Sequence, residues 1–439
     1  MLIWIYRLVF VPAFLVLFPL HLPRLIKRGR FLTTVRQRFG FYGALFVKAR
    51  EKKKSLWIQV VSVGEAQAAS PLIQSLNNRR DCLLFITTTT STAHTVLNQR
   101  FGHCSGIWIG YFPFDFFPFV ANAWRSIQPD LVVLFESELW PELMHRARSS
   151  GVPVWLINAR HSDKTIQWFI QFPMIARWLY GYISKALFVS RGQLERLKAL
   201  SICPAEASAI GQLKFDVSLP CINQDDRQVL LSSMGFHNVQ PETCIIIGAS
   251  TWAGEEKILL EALQSLIDDG CDVRLILVPR HADRGHDIAT EVASKGLSYT
   301  LRSQPVSSTG VIVHIADTTG EMQMLCQCAH MGLIGKSFAP HIGGQNPLEL
   351  VAAGVPMVYG PSMSNFRDVC NDLEAENLSR CCLSRDEAKQ SIVSLVKDAS
   401  VRQKLSYRLQ QWLVARKGVL SLVVDEFDGF LDHVVEETA

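Results

Sequence analysis

Leu56-Trp57-Ile58-Gln59-Val60-Val61-Ser62-Val63-Gly64-Glu65 is the stretch that decides the fold. Its β-branched, aromatic and aliphatic start reads as a strand over Leu56–Val61, and the helical pattern Ala66–Leu76 follows it. Gly64 permits a sharp turn at the strand end. The acid after it falls in the first helical turn, where the helix dipole favours an ionised carboxylate. Glu65 therefore has two readings. It is a helix-capping acid, or it is a general base held at the mouth of a cleft.

Outward from this unit the same rhythm repeats. Strands are predicted near Leu83–Thr87, Ile107–Tyr111, Leu131–Phe135, Val154–Asn158, Ala186–Val189 and Ala209–Ile210. A second series falls near Thr243–Gly248, Arg274–Val278, Val311–Ile315, Met331–Ile334 and Pro356–Val358. Helix-length segments such as Gly254–Asp269 and Asn346–Ala353 lie between them. Strand, helix, strand at this spacing is the mark of an α/β chain with two Rossmann-like parallel-sheet domains facing a cleft. The expected organisation is an N-terminal membrane anchor over 1–30, a first domain over 31–218, a linker over 219–242 and a second domain over 243–439. The linker reading rests on a polar stretch carrying Pro220 and Pro241. A C-terminal helix near Ser384–Arg416 is expected to brace the pair.

At 439 residues the chain exceeds what one core normally organises. Its 48% hydrophobic and 19% charged composition excludes a disordered or collagenous chain, and only one segment is free enough of charge to enter a bilayer. The net charge of +4 conceals an asymmetry. Residues 1–54 hold twelve Lys/Arg against Glu51 alone, a net of +11, and the remainder carries −7. Residues 2–22, LIWIYRLVFVPAFLVLFPLHL, are barely long enough to span a bilayer, and Arg7, Pro12 and Pro19 weaken a straight spanning helix. The basic run Arg24, Lys27, Arg28 and Arg30 follows with no small-residue cleavage site. It places the body on the cytoplasmic side and attracts anionic lipid. An uncleaved anchor is the favoured reading, and a helix lying on the membrane is the other.

Eleven cysteines without a C-x-x-C pair point to reduced thiols and to no metal site. The chemistry lies at strand ends. Glu136 and Glu138 follow the strand Leu131–Phe135, share one face if the strand continues, and precede Pro141 at a helix start. They are candidates for binding acceptor hydroxyls or orienting the base. Lys214, in Gly211-Gln212-Leu213-Lys214-Phe215-Asp216, sits at the domain junction. In Gly248-Ala249-Ser250-Thr251-Trp252-Ala253-Gly254-Glu255-Glu256, free backbone N–H groups and the Ser250 and Thr251 hydroxyls suit an anionic oxygen. Arg280, in Val278-Pro279-Arg280-His281, can fork two oxygens of a phosphate or carboxylate. Gly343 and Gly344 allow close approach of a ligand, Asn346-Pro347 opens a helix, and Glu349 one turn later can take ribose hydroxyls. Neither G-x-G-x-x-G nor G-x-x-x-x-G-K-[ST] occurs, so a dinucleotide dehydrogenase and a Walker-type ATPase are poorly supported.

Ser62 to Glu65, Tyr111-Phe112-Pro113-Phe114-Asp115, Glu136 to Pro141, Gly211 to Asp216, Val278 to His281 and Gly343 to Glu349, in this order and behind this N-terminus, resemble the 3-deoxy-D-manno-octulosonic acid (Kdo) transferases of lipopolysaccharide assembly. The resemblance runs over nearly the whole chain. It implies a GT-B fold and an inverting, metal-independent transfer of Kdo from CMP-Kdo to the acylated, phosphorylated glucosamine disaccharide of the lipid A precursor. Glu65 is then the base, Glu136 and Glu138 the acidic pair, and Lys214, Arg280, Asn346 and Glu349 donor-side residues. The implied partners are CMP-Kdo, the lipid A precursor and the cytoplasmic face of the inner membrane, with no nucleic acid and no cofactor. Three departures stand out. Thr87 to His94 lacks a glycine after the last threonine, Gln345 replaces a frequent histidine, and Trp252-Ala253 replaces a more polar pair. The alternatives are another GT-B nucleotide-sugar glycosyltransferase or epimerase, and a catalytically silent membrane scaffold.

Overall fold

The computed structural model describes residues 1–27, 31–43, 53–79, 81–216, 219, 222–237, 239–305 and 310–436, with the side chains of 17–27, 31–33 and 433–436 outside the description. The chain forms two compact units, residues 1–216 with 418–439, and residues 217–417.

Unit 1 is built on β1 (Lys54–Val60), β2 (Cys82–Thr88), β3 (Ile107–Tyr111), β4 (Leu131–Phe135), β5 (Val154–Ala159), β6 (Lys185–Phe188) and β7 (Glu206–Ala209). They form one sheet in the order β3-β2-β1-β4-β5-β6-β7 with every pairing parallel. Alternate residues feed opposite faces. Trp57, Phe85, Val132 and Leu156 enter one core, and Leu56, Ile58, Ile86, Val133 and Ile157 enter the other. Burial on both faces is why these strands read as continuous apolar runs.

Unit 2 repeats the plan with β8 (Cys244–Thr251), β9 (Val273–Pro279), β10 (Tyr299–Leu301), β11 (Val313–Ile315), β12 (Met331–Ile334), β13 (Met357–Tyr359) and β14 (Ser379–Cys381), in the parallel order β10-β11-β9-β8-β12-β13-β14. Strand order reverses between β1 and β4 in unit 1, and between β8 and β12 in unit 2. Ligands of open α/β sheets bind outside the carboxyl ends of the strands at such switch points.

Two expectations about organisation are corrected. The stretch 219–242 is no free linker, since it holds the helix Gln224–Ser233, opened by an Asn223/Asp226 capping box. Leu231, Met234 and Phe236 are buried there, and Thr300 Oγ1 donates to Met234 O at 2.7 Å, so the stretch belongs to unit 2. The C-terminal region is also divided. Helices Arg385–Lys397 and Ala399–Val414 stay in unit 2, and the closing helix Val419–Glu436 returns to unit 1. Its Val419, Val423, Phe427 and Leu431, four residues apart, are buried among Leu213, Leu187 and Trp155. Each such side chain contributes about 1.5–3 kcal/mol. Asp216 accepts the N–H groups of Gly418 (2.7 Å) and Leu420 (2.6 Å) at the start of this helix.

The N-terminal segment expected to form the anchor is helical. Residues Leu2–Lys27 form one helix, and among the described residues no helix is long and apolar enough to cross a membrane. One face of it is seated on unit 1. Tyr6 Oη donates to Asp115 Oδ2 (2.9 Å), Arg7 forks the Glu142 carboxylate (2.8 and 2.6 Å), and Phe10 stacks on Phe116 at 4.8 Å. Arg7, which the sequence presents as a flaw in a spanning helix, is here the partner of a buried acid. The opposite face, Trp4, Leu8, Val9, Leu15 and Val16, is exposed. Of the basic cluster, Arg28 and Arg30 lie outside the described residues, and the side chains of Arg24 and Lys27 lie outside the description.

Candidate active site

In unit 1 the switch-point loops carry three carboxylates. Ser62 caps the helix Val63–Asn78 by accepting the Glu65 N–H (3.2 Å), and it donates its own hydroxyl to Glu65 Oε1 (3.0 Å). Val61 N–H donates to Glu65 Oε2 (2.8 Å). The capping reading of Glu65 is therefore realised. The same bonds fix the carboxylate in one orientation, with 6% of the residue exposed. Burial and then the Glu136 charge push its pKa up, against the hydrogen bonds from Val61 and Ser62. Glu138 is pushed up to about 7, first by burial and then by the charges of Glu65 and Glu136. Two carboxylates raised by burial and by a neighbouring acid's charge, at the ends of adjacent strands, form a site suited to proton transfer.

The strand does not continue past Phe135, so Glu136 and Glu138 do not share a strand face. Glu136 turns at φ 56°, a left-handed conformation that a non-glycine residue holds only when its surroundings enforce it. Those surroundings are residues the sequence reading missed. Arg160 donates to Glu136 Oε2 from Nε (2.9 Å) and Nη2 (2.8 Å). Asn158, itself at φ 56°, donates to Glu136 Oε1 (3.4 Å) and accepts the Leu213 N–H (3.3 Å). Lys214 follows Leu213 and so lies in unit 1, beside this network. Asp115 of the Tyr111–Asp115 motif is buried and accepts the N–H groups of Glu142 and Leu143 (2.9 Å each), capping the helix that Pro141 opens.

In unit 2 one of the N–H groups expected to await an anion, that of Trp252, is already held by a carboxylate. Glu255, fully buried, accepts from Trp252 N–H (2.9 Å) and Lys336 N–H (2.8 Å) on Oε2, and from Ser337 N–H (2.9 Å) and Phe338 N–H (3.1 Å) on Oε1. It ties the loop after β8 to the loop after β12. Two residues in these loops, Ser250 (φ 54°) and Lys336 (φ 58°), are left-handed. Thr251 is fully buried and its hydroxyl meets no partner among the described residues. Gly343 (φ 119°) and Gly344 (φ 71°) are required by the chain itself. A Cβ would meet Asn365 at 2.7 Å and Met363 at 2.4 Å, and their N–H groups donate to Ser362 O and Lys336 O.

Lys336, Trp252, His281 and His341 cluster here. The Lys336 ammonium lies 5.0 Å from the Trp252 ring centre, and each histidine ring lies 5.1 Å from the same indole. Arg280 is exposed at the end of β9, anchored by its N–H to Thr251 O (3.0 Å). Burial pushes the Glu349 pKa up and the Arg280 charge opposes this, so the two predicted residues share one locality. Asn346 Oδ1 accepts the Leu348 N–H (3.1 Å) and opens the short helix carrying Glu349.

Residues 33–217 match the family model described as 3-deoxy-D-manno-octulosonic-acid transferase (kdotransferase). The chain is 30% identical to the 3-deoxy-D-manno-octulosonic acid transferase of Bordetella pertussis, over 86% of this chain and 87% of that one. Among solved structures it resembles a glycosyltransferase from Rickettsia africae (TM-score 0.52, 10% identity, 88% of this chain and 99% of that one). It also resembles the UDP-GlcNAc 2-epimerase of Neisseria meningitidis (TM-score 0.51, 14% identity, 84% and 98%). The fold is thus shared by transferases and epimerases, and the sequence relationship separates them. The chain belongs to the 3-deoxy-D-manno-octulosonic acid (Kdo) transferase family of lipopolysaccharide biosynthesis.

Proposed function

We propose that this chain transfers Kdo from CMP-Kdo to the acylated, phosphorylated glucosamine disaccharide of the lipid A precursor, with inversion and without a metal ion. The observation that carries the reading is the trio Glu65, Glu136 and Glu138 at the unit 1 switch point, in a chain of this family. Glu65 accepts the proton of the acceptor hydroxyl as that oxygen attacks the anomeric carbon of Kdo from the face opposite CMP. Its raised pKa suits it to receive that proton near neutrality. Arg160 and Asn158 keep Glu136 oriented beside it. Unit 2 holds the donor through Arg280, Glu349 and the loops after β8 and β12, and cationic groups there stabilise the phosphate as it departs. Lys214 is, with Arg280, one of the donor-side cations of this reading.

The exposed apolar face of the N-terminal helix lies against the cytoplasmic leaflet of the inner membrane and brings the site to a lipid acceptor. The polar seating of Tyr6 and Arg7 on unit 1 favours a helix lying on the bilayer. Mass spectrometry of product formed from the lipid A precursor tests the proposal, with CMP-Kdo and a UDP-sugar supplied separately. A Kdo mass increment with CMP-Kdo alone is expected. Transfer from the UDP-sugar, or none from CMP-Kdo, overturns it.

A further inference from the structure

Arg38 closes the helix Phe31–Arg38. Arg7, Arg79 and Arg160 each pair with an acid. Among the described residues no carboxylate pairs with Arg38, although it is half-buried and its Nε is buried with no partner. Its Nη2 donates to Thr89 O at 2.7 Å. The guanidinium lies 5.2 Å from the Tyr111 ring centre and 5.9 Å from that of Phe114. His94 stacks on the same Tyr111 ring at 4.4 Å. Burial lowers the Arg38 pKa, as it does for a cation whose counter-anion is missing. Such a cation is costly to keep unless something supplies the anion.

The surroundings define what supplies it. Thr90 Oγ1 donates to Val61 O (2.9 Å), and Val61 N–H holds the Glu65 carboxylate, so the guanidinium and the proposed base share one set of loops after β1 and β2. On its other side, Phe114 packs edge-on against Phe14 of the N-terminal helix at 5.0 Å, and the outer face of that helix is apolar. Cation, base and apolar surface in succession fit one amphipathic molecule with an anionic head. We infer that Arg38, with the Thr89–His94 turn and Tyr111, is the subsite for a phosphate monoester on the sugar of the acceptor. This rests on the acceptor class given under the proposed function. A guanidinium forks two phosphate oxygens, which an ammonium cannot do.

The test uses the full chain and two acceptors, the phosphorylated lipid A precursor and the same molecule after phosphatase treatment. Arg38→Gln is expected to raise the KM of the phosphorylated acceptor about 10- to 100-fold, the scale of losing a charged hydrogen-bonded contact. The KM of the dephosphorylated acceptor and of CMP-Kdo should stay put, and Arg38→Lys should restore only part. Equal losses on both acceptors, or a shifted CMP-Kdo KM, overturn the subsite. A second arm needs no transfer. Glucosamine 1-phosphate should raise the thermal midpoint of the wild-type protein, and glucosamine should not. Wild-type binding to phosphatidylglycerol vesicles should persist in Arg38→Gln. No shift with the sugar phosphate, or vesicle binding lost with Arg38 instead, refutes the assignment. A sugar-phosphate shift in a protein that fails to transfer Kdo would retain the subsite and reject the activity.

Discussion

The two switch points use the same residue type in opposite ways. Val63-Gly64-Glu65 and Ala253-Gly254-Glu255 both place an acid after a glycine at the head of a helix. In unit 1 the acid caps its own helix with local partners, and the charge of Glu136 from a neighbouring loop acts on it. In unit 2 the acid is fully buried and four N–H groups from two loops converge on it. One carboxylate is left able to take a proton, and the other is consumed in holding a pocket together. Local sequence cannot separate the two cases. What separates them is the partner loop 81–83 residues away.

The contrast is most strained by Glu255→Gln. An amide keeps one acceptor oxygen and turns a donor toward two N–H groups, so unit 2 should lose about 3–5 kcal/mol, the cost of breaking a buried, hydrogen-bonded charge. Urea denaturation followed by a unit 2 probe checks this. A loss below about 1 kcal/mol would mean that Glu255 is no structural hub.

A smaller effect is expected at Glu138, whose pKa in the folded chain is about 7 against an ordinary 4.5. Folding favours its protonated form. That contribution is fully present below about 4.5 and is lost as pH rises through about 7. Wild-type stability should therefore fall across this window relative to Glu138→Gln, which does not titrate. Parallel stability curves for the two proteins from pH 4.5 to 8 would show that Glu138 is not held above the ordinary carboxylate range.

The smallest effect expected is none. EDTA should leave turnover unchanged, because Arg280 and Lys214 are proposed to carry the charge of the departing phosphate. Loss on chelation, restored by Mg²⁺, would assign that role to a metal.

Much of this was legible before any coordinates. Strands buried on both faces, such as β1, β4 and β8, announce themselves as apolar runs, and the acids after β1 and β4 mark one switch point. The short edge strands Tyr299–Leu301 and Ser379–Cys381 carry too few residues to make a pattern. The stripe Val419, Val423, Phe427 and Leu431 is visible in sequence, but a stripe does not name the surface that covers it. Arg160, Asn158, Glu255 and Arg38 gave no local signal at all, because what each does is set by partners distant in the chain.

The central claim is that Glu65 is the base, although it also caps its helix. Turnover of Glu65→Gln with CMP-Kdo and the lipid A precursor tests it most directly, with thermal unfolding recorded on the same sample. The account predicts a folded protein with CMP-Kdo binding retained and turnover reduced by roughly 10²–10⁴-fold. Near-normal turnover in a folded Glu65→Gln protein would contradict it, leaving Glu65 as a capping residue only.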